Sequence, residues 1–192
     1  MNDILLIGGG GHCESVIDVV EQEGRYNIIG IIDRPELLGK NLLGYQVIGN
    51  DYDLSDLVKS CSNAIITVGQ IHSPLVRIKL FKTISKLGYC LPTIISPRSY
   101  ISKYAKIGLG SVVMHDVIIN SNALIGDNCI LNTKSLLEHG CKIGDHCHIS
   151  TNAVINGNTI IGQGCFIGSG AITKEGSRVQ DNFFAKAGSV LK

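Results

Sequence analysis

Residues 119–143, INSNALIGDNCILNTKSLLEHGCKI, carry an aliphatic residue at every sixth position. The same spacing extends from Ile101 to Val179 and is interrupted only by Thr173. Four residues after each aliphatic position stands a second and usually small residue, such as Cys129. A helix has an apolar period of about 3.6 residues and a strand a period of about 2, so neither element alone explains this repeat.

A period of six is typical of a parallel β-helix, in which each hexad forms one short side of a coil. The aliphatic residue then points inward, and the small residue lets the chain turn a corner. Three hexads form one triangular coil, so the fifteen hexads from Ile101 through Ala185 predict about five coils. We therefore predict an all-β hexapeptide-repeat domain over residues 93–192.

Residues 1–92 have another pattern, in which short apolar segments alternate with segments of helical spacing. The predicted strands are 4–7, 28–32, 64–68 and 91–95, and the predicted helices are 12–23 and 76–87. This alternation is typical of a parallel sheet with helices on its faces. We predict a half-sized Rossmann-like α/β domain over residues 1–92, joined to the solenoid where Pro92 and Pro97 break the pattern.

Four glycines, Gly8-Gly9-Gly10-Gly11, separate the first strand from the first helix. The free N–H groups of a helix N-terminus bind anions, so this turn is a candidate phosphate site. Asp33 ends the second strand at about the distance at which an acid meets a ribose hydroxyl in dinucleotide folds. Cys13 replaces the last glycine of the G-x-G-x-x-G motif, so we expect a nucleotide other than NAD. A tight turn without a ligand is the alternative.

Two histidines are candidates for chemistry. His12 follows the glycines directly, where it could contact a phosphate or a sugar hydroxyl, or only cap the helix. His139 lies two residues after the inward Leu137, and the coil register places Ser121 and Gly157 beside it. An imidazole titrates near neutrality, so His139 could take a proton from an amine or hydroxyl that attacks a thioester. A solvent-facing surface histidine is the alternative.

Composition excludes several classes of function. The formal charge is +1 with Lys and Arg spread along the chain, which gives no reason to expect nucleic-acid binding. No apolar run is long enough for a membrane span or a signal peptide, so we expect a cytoplasmic protein. No C-x-x-C pair occurs, and we expect neither a protein-bound metal nor a disulfide. The small inward cysteines are Cys129, Cys141, Cys147 and Cys165.

The chain resembles the PglD/NeuD family of bacterial sugar acetyltransferases over nearly its whole length. The residues that carry the resemblance are Gly8-Gly9-Gly10-Gly11-His12, Ile31-Ile32-Asp33, Val68-Gly69, Ile95-Ser96-Pro97 and Leu131 to His139. The resemblance implies a left-handed β-helix and a homotrimer with active sites between neighbouring solenoids. It also implies acetyl transfer from acetyl-CoA to the amino group of a nucleotide-linked sugar, for surface glycan biosynthesis, or to a sialic-acid hydroxyl.

The resemblance also implies residue roles. It makes His139 the general base, with Glu138 beside it. The residues expected to bind the nucleotide sugar are Gly8, Gly10, Gly11, His12, Asp33, Arg34 and Gly69. Those expected to contact acetyl-CoA are Asn132, His148, Gly168 and Ala187.

Two positions depart from the family pattern. Gly140 stands where the family usually has an acid after the catalytic histidine, so Glu138 or a neighbouring subunit would have to orient the ring of His139. Arg34 stands where the family has the second acid of a pair, so recognition of the nucleotide base is expected to differ.

Three functions remain open at this point. The first is an N-acetyltransferase for a nucleotide-linked amino sugar, and the second is a sugar O-acetyltransferase. The third is a non-catalytic solenoid with a nucleotide-sensing domain. Glu138-His139 beside small coil neighbours favours catalysis, and the Rossmann-like unit favours an acceptor that carries a nucleotide.

Overall fold

The computed structural model describes residues Met1 to Lys192, which form an N-terminal α/β unit followed by a β-helix. The elements of the first unit are β1 (Asn2–Ile7), α1 (Gly11–Glu23), β2 (Tyr26–Ile32), β3 (Asn41–Leu42), β4 (Tyr45–Gly49), α2 (Leu54–Leu57), β5 (Ala64–Ile66) and α3 (Leu75–Lys86). The sheet has the order β3-β4-β2-β1-β5 and is parallel except for the β3–β4 pair. The predicted Rossmann-like half domain is confirmed, whereas β3 and β4 were not predicted.

The apolar runs of the sequence form the middle of this sheet. Ile4 to Ile7 and Ala64 to Ile66 are fully buried, as expected for parallel strands covered on both faces. Helix α1 buries Val16, Ile17 and Val20 and ends at Gly24, which adopts the left-handed conformation at φ 68°. The buried side chains of α1 pack the helix on the sheet, so its first residues lie at the carboxyl edge of the strands.

Seventeen two-residue strands form the solenoid, and parallel pairing of strands one coil apart arranges them in three sheets. The sheet against which the α/β unit packs is called the covered face. It consists of Ile94–Ile95, Val112–Val113, Ile130–Leu131, His148–Ile149, Phe166–Ile167 and Phe184–Ala185. The apolar face consists of Tyr100–Ile101, Ile118–Ile119, Leu136–Leu137, Val154–Ile155, Ile172–Thr173 and Val190–Leu191. The cationic face consists of Lys106–Ile107, Leu124–Ile125, Lys142–Ile143, Ile160–Ile161 and Arg178–Val179.

The second residue of each strand points into the solenoid, which confirms the hexapeptide fold. Thr173, the one polar residue in that series, is fully buried because its hydroxyl bonds Thr159 at 3.1 Å and accepts the Asn156 N–H at 2.9 Å. The thiols of Cys147 and Cys165 donate to backbone carbonyls of the next coil at 3.0 and 3.1 Å. Inward polar residues are therefore tolerated where the neighbouring coil supplies a partner.

The first strand of the solenoid lies one hexad before Ile101, inside the predicted range 93–192. The expected strand 91–95 is reduced to Ile94–Ile95, and it pairs with Val112–Val113 as the first strand of the covered face. The predicted strand 91–95 crossed the predicted division at residues 92 and 93, which itself places Ile94–Ile95 in the solenoid. The division at residues 92 and 93 remains a prediction.

The α/β unit packs on the covered face. One hydrophobic cluster extends from α1 through Ile94 into the solenoid. The guanidinium of Arg77 on α3 is 1% exposed and donates to the carbonyls of Ile66 and Val68 and to Oδ1 of Asn128, at 3.1, 2.6 and 2.6 Å. Arg77 therefore connects the end of β5 to a solenoid turn. None of the helices combines the length and apolar character needed to cross a membrane.

Candidate active site

A cavity of about 1070 Å³ lies between the carboxyl edge of the N-terminal sheet and the covered face of the solenoid. Ligands bind at this edge of open α/β sheets. The cavity brings together all seven residues predicted to bind the nucleotide sugar with two of those predicted to contact acetyl-CoA. These nine residues are Gly8, Gly10, Gly11, His12, Asp33, Arg34, Gly69, Asn132 and His148.

The glycine turn forms one wall. Gly8 has φ 111°, and a Cβ there would lie 2.4 Å from a methyl group of Val68, so a side chain does not fit. Helix α1 begins at Gly11 without a side-chain cap, so its N-terminal N–H groups are available to an anion. The turn can therefore bind a phosphate group.

Asp33 supports this turn from the end of β2. Its Oδ2 accepts the N–H of Gly9, and its Oδ1 accepts the N–H of Arg34 at 2.7 Å. The Arg34 side chain is 74% exposed at the cavity rim. Asp33 thus holds the turn in addition to its predicted ribose contact. The exposed side chain of Arg34, whose Nε lies 3.8 Å from Oδ1 of Asp33, can extend towards the outer end of a bound nucleotide.

Four polar residues, His12, Gln70, Asn132 and His148, form what we call the polar floor of the cavity. The first two come from the α/β unit and the last two from the solenoid. Nδ1 of His148 donates to the backbone carbonyl of Gln70 at 2.5 Å, which leaves Nε2 to accept from Asn132 at 3.3 Å. His148 points out of its coil as predicted, but the α/β unit buries it.

The polar floor carries no charge near neutral pH. Burial lowers the pKa of His12 to about 3, and the Arg77 guanidinium acts in the same direction. Burial also lowers the pKa of His148 to about 4, again with a contribution from Arg77. Neutral imidazoles can exchange hydrogen bonds with a substrate without repelling a protonated amine.

These pKa shifts predict acid sensitivity of the fold. The unfolded chain takes up protons on both histidines below about pH 6.5, whereas the folded chain does not above about pH 4. The free energy of unfolding therefore falls with decreasing pH in that interval, by about 2 kcal/mol per histidine between about pH 7.5 and about pH 5. Urea unfolding of the wild type and of His148→Gln measures this. An equal pH dependence in the two proteins would contradict it.

His139 lies outside this cavity, at the turn between the apolar and cationic faces, which we call the His139 corner. The side chain is exposed, and a Cβ on Gly157 would lie 2.7 Å from its ring. Gly157 therefore leaves the space that the imidazole occupies. The neighbours predicted from the coil register, Ser121 and Gly157, flank His139 as expected.

Glu138 makes no hydrogen bond to the ring of His139 within this chain. Its Oε2 accepts from the side chain of Asn120 at 2.9 Å and from the backbone N–H of His139 at 3.4 Å. The carboxylate therefore bonds a side chain of the preceding coil and not the imidazole. What orients the ring of His139 in place of the acid missing at Gly140, whether Glu138 or a group from a neighbouring subunit, therefore stays a prediction.

Gly168 and Ala187 lie on the turns between the covered and apolar faces, in coils nearer the C-terminus. The Gly168 N–H donates to the carbonyl of Ala185 at 3.0 Å, two residues before Ala187. Asn132 and Gly168 occupy the same turn position two coils apart. We call this edge the Asn132 corner, and it extends from the cavity towards the end of the solenoid.

The apolar face separates the two corners and is uncovered. The outward residues of its six strands are Tyr100, Ile118, Leu136, Val154, Ile172 and Val190. Ile118 is 42% exposed, and Tyr100 and Val190 are more exposed. A contiguous apolar strip of this kind marks a contact surface, because isolated proteins rarely present one to water.

Comparison with known proteins identifies the family. Residues 3–84 match the PglD N-terminal domain, and residues 95–192 match the GMPPB C-terminal domain. The acetyltransferase domain of PglB from Neisseria gonorrhoeae is 30% identical, with a TM-score of 0.92 over 100% of this chain and 92% of that one. The chain belongs to the PglD/NeuD family of bacterial sugar acetyltransferases.

Two more solved structures resemble this PglD/NeuD chain. PerB from Caulobacter crescentus, solved with CoA and GDP-perosamine, is 28% identical with a TM-score of 0.93, over 100% of this chain and 89% of that one. WeeI from Acinetobacter baumannii is 26% identical with a TM-score of 0.76, over 99% and 96%. The PglB domain was also solved with acetyl coenzyme A. No curated protein sequence matches the chain significantly.

Sequence reasoning missed Gln70, which lines the cavity, and Arg77, whose charge helps lower the pKa of His12 and His148. Gln70 lies in the polar floor, and its position directly after Val68-Gly69, at the end of a parallel strand, was the available signal. Arg77 gave no signal, because an arginine on a helix is ordinarily solvent-exposed. Its burial becomes visible only when α3 is packed on the solenoid.

Proposed function

We propose that this chain is an acetyl-CoA-dependent N-acetyltransferase that acts on the amino group of a nucleotide-linked amino sugar in surface glycan biosynthesis. One observation carries the proposal: a single cavity joins a phosphate-binding glycine turn to an uncharged polar floor on the solenoid. The nucleotide would lie at the turn, and the sugar would extend across the floor. PerB, a relative with this fold, binds CoA and GDP-perosamine.

The active enzyme is proposed to be a homotrimer formed through the apolar face. The cationic face presents Lys106, Lys142 and Arg178, which disfavours its burial against an identical copy. Three apolar faces around a threefold axis bring one edge of each face to the opposite edge of the next. The Asn132 corner of one subunit would then meet the His139 corner of its neighbour.

This arrangement supports a shared active site. The acceptor sugar, bound in the cavity of one subunit, would present its amine near Asn132 to His139 of the neighbouring subunit. Acetyl-CoA would lie in the groove between the two corners, along Gly168 and Ala187. A group from that neighbour would also be available to orient His139, whose ring has no carboxylate partner in its own chain.

In the proposed reaction the amine nitrogen attacks the thioester carbonyl and forms a tetrahedral intermediate. His139 accepts the proton that the nitrogen loses. The intermediate collapses as the carbon–sulfur bond breaks, which releases coenzyme A and leaves the acetamido sugar. Both substrates are cytoplasmic metabolites, so we propose that the enzyme acts in the cytoplasm.

The proposal is tested by release of coenzyme A thiol with a panel of UDP-, GDP- and dTDP-linked amino sugars. We expect turnover with at least one of them and none with the matching hydroxy sugars. Turnover only with hydroxy sugars or free sialic acid would indicate an O-acetyltransferase instead. Nucleotide binding without any thiol release would indicate the non-catalytic alternative.

A further inference from the structure

Gln70 lies where the main cavity meets a second cavity of about 360 Å³. Phe166 and Phe184, stacked with ring centroids 5.1 Å apart, line the second cavity. Gln70 is 2% exposed, although it follows the end of β5 in a segment that contains the exposed Ile71. A glutamine buried at such a junction requires partners for its amide.

The amide of Gln70 is only partly satisfied. Nε2 makes one long hydrogen bond, of 3.4 Å, to the carbonyl of Cys165 in the solenoid. Oε1 is buried and has no hydrogen-bond partner. The same is true of Nε2 of His12, across the polar floor. Buried polar atoms of folded proteins are nearly always paired, so these two orphans indicate a ligand that supplies the missing partners.

The position of the two atoms indicates which part of a ligand they meet. The glycine turn and Asp33 form the phosphate and ribose end of the cavity, whereas Gln70 and His148 meet at the solenoid end. A nucleotide bound at the turn would direct its sugar towards Gln70. Sugar hydroxyl and amino groups are donors that an amide oxygen accepts, and the aromatic walls suit the apolar side of a sugar ring.

We infer, resting on the proposed function, that Oε1 of Gln70 accepts a hydrogen bond from the sugar ring of the acceptor. Gln70 is thereby a specificity-determining residue for the sugar and not for the nucleotide. His148 bonds the backbone carbonyl of Gln70 through one ring nitrogen and the side chain of Asn132 through the other. These bonds hold Gln70 near Asn132, where the reacting amine of the sugar would lie.

Gln70→Met tests the inference, because methionine preserves the length of the side chain and removes the amide. We expect binding of the amino-sugar nucleotide to weaken by roughly 10-fold to 100-fold, as for loss of one hydrogen bond at a buried acceptor. The KM for acetyl-CoA and the Kd of UDP, GDP or dTDP alone should stay unchanged. Calorimetry and thiol-release kinetics measure these quantities. Gln163→Met makes the same change on an exposed turn outside the main cavity. This control should change neither the affinity for the amino-sugar nucleotide nor the KM for acetyl-CoA.

The outcomes separate this inference from the proposed function. Unchanged affinity of Gln70→Met for the amino-sugar nucleotide would overturn the role of Gln70 even if the wild type is an active acetyltransferase. An equal loss of affinity for the nucleoside diphosphate alone would also overturn it, since that result indicates a structural role. A wild type that binds amino-sugar nucleotides but releases no coenzyme A would refute the proposed function alone. If Gln70→Met does not fold, Gln70→Asn is used instead. This variant shortens the side chain by one methylene and so moves the amide oxygen away from the sugar, and the same results are expected.

Discussion

Replacing His139 with alanine is expected to lower kcat by roughly 100-fold to 10,000-fold, the range for loss of a positioned general base. The effect should fall on kcat because the cavity that binds the acceptor contains no part of His139. The fold should persist, since the side chain is exposed and Leu137 fills the core at that coil. Thiol-release kinetics across a pH series, together with a thermal melt, measure both effects.

Lys103→Ala is the matched control for this variant. Lys103 occupies the same turn position as His139 two coils earlier, and it is also exposed. We expect wild-type kcat for this control. Glu138→Gln should have a smaller effect than His139→Ala because the carboxylate bonds Asn120 and not the imidazole. A His139→Ala enzyme with near wild-type turnover and an unchanged pH profile would refute the assigned role.

Ile118→Glu is expected to convert the proposed trimer to monomers and to abolish turnover. Ile118 lies in the second strand of the apolar face, between Tyr100 and Leu136. A glutamate there would be buried three times per trimer without a partner, and each buried charge costs several kcal/mol. Light scattering at micromolar concentration, paired with thiol-release kinetics on the same sample, checks both parts of the expectation.

The control for this variant is Leu124→Glu on the cationic face. Leu124 is 39% exposed, close to the 42% of Ile118, so the two substitutions differ mainly in the face that they alter. We expect Leu124→Glu to remain trimeric and active. If the Leu124 variant dissociates and the Ile118 variant stays trimeric, the interface between subunits lies on the cationic face instead. A wild-type monomer would remove the basis for a shared site.

The sequence predicted the repeat architecture well because the hexad period reports directly on which residues point inward. Thr173 breaks the aliphatic rule without breaking the coil, since Thr159 on the neighbouring coil satisfies its hydroxyl. The first strand of the solenoid, Ile94–Ile95, was predicted as part of a longer strand 91–95, because a strand of two residues carries no period of its own. Strand β3, equally short, was missed for the same reason.

The candidate site was only partly predictable, because the packing of the α/β unit on the solenoid leaves no local signal. The glycine turn and His139 were proposed from the residues around them, and their roles stay predictions. The burial of His148 was not, since its coil alone points it to solvent. Gln70 and Arg77 acquire their roles from solenoid atoms nearly a hundred and about fifty residues away in sequence, through bonds to Cys165 and Asn128.

The two corners on opposite edges of the apolar face have a genetic consequence. If the cavity of one chain works with His139 of the next, a chain that lacks His139 still offers an intact cavity, and a chain with a damaged cavity still offers an intact His139. Two inactive alleles expressed together would then restore about one working site in each mixed trimer, because the cyclic order creates one such junction. Defects at the two corners would complement one another, whereas two defects at the same corner would not.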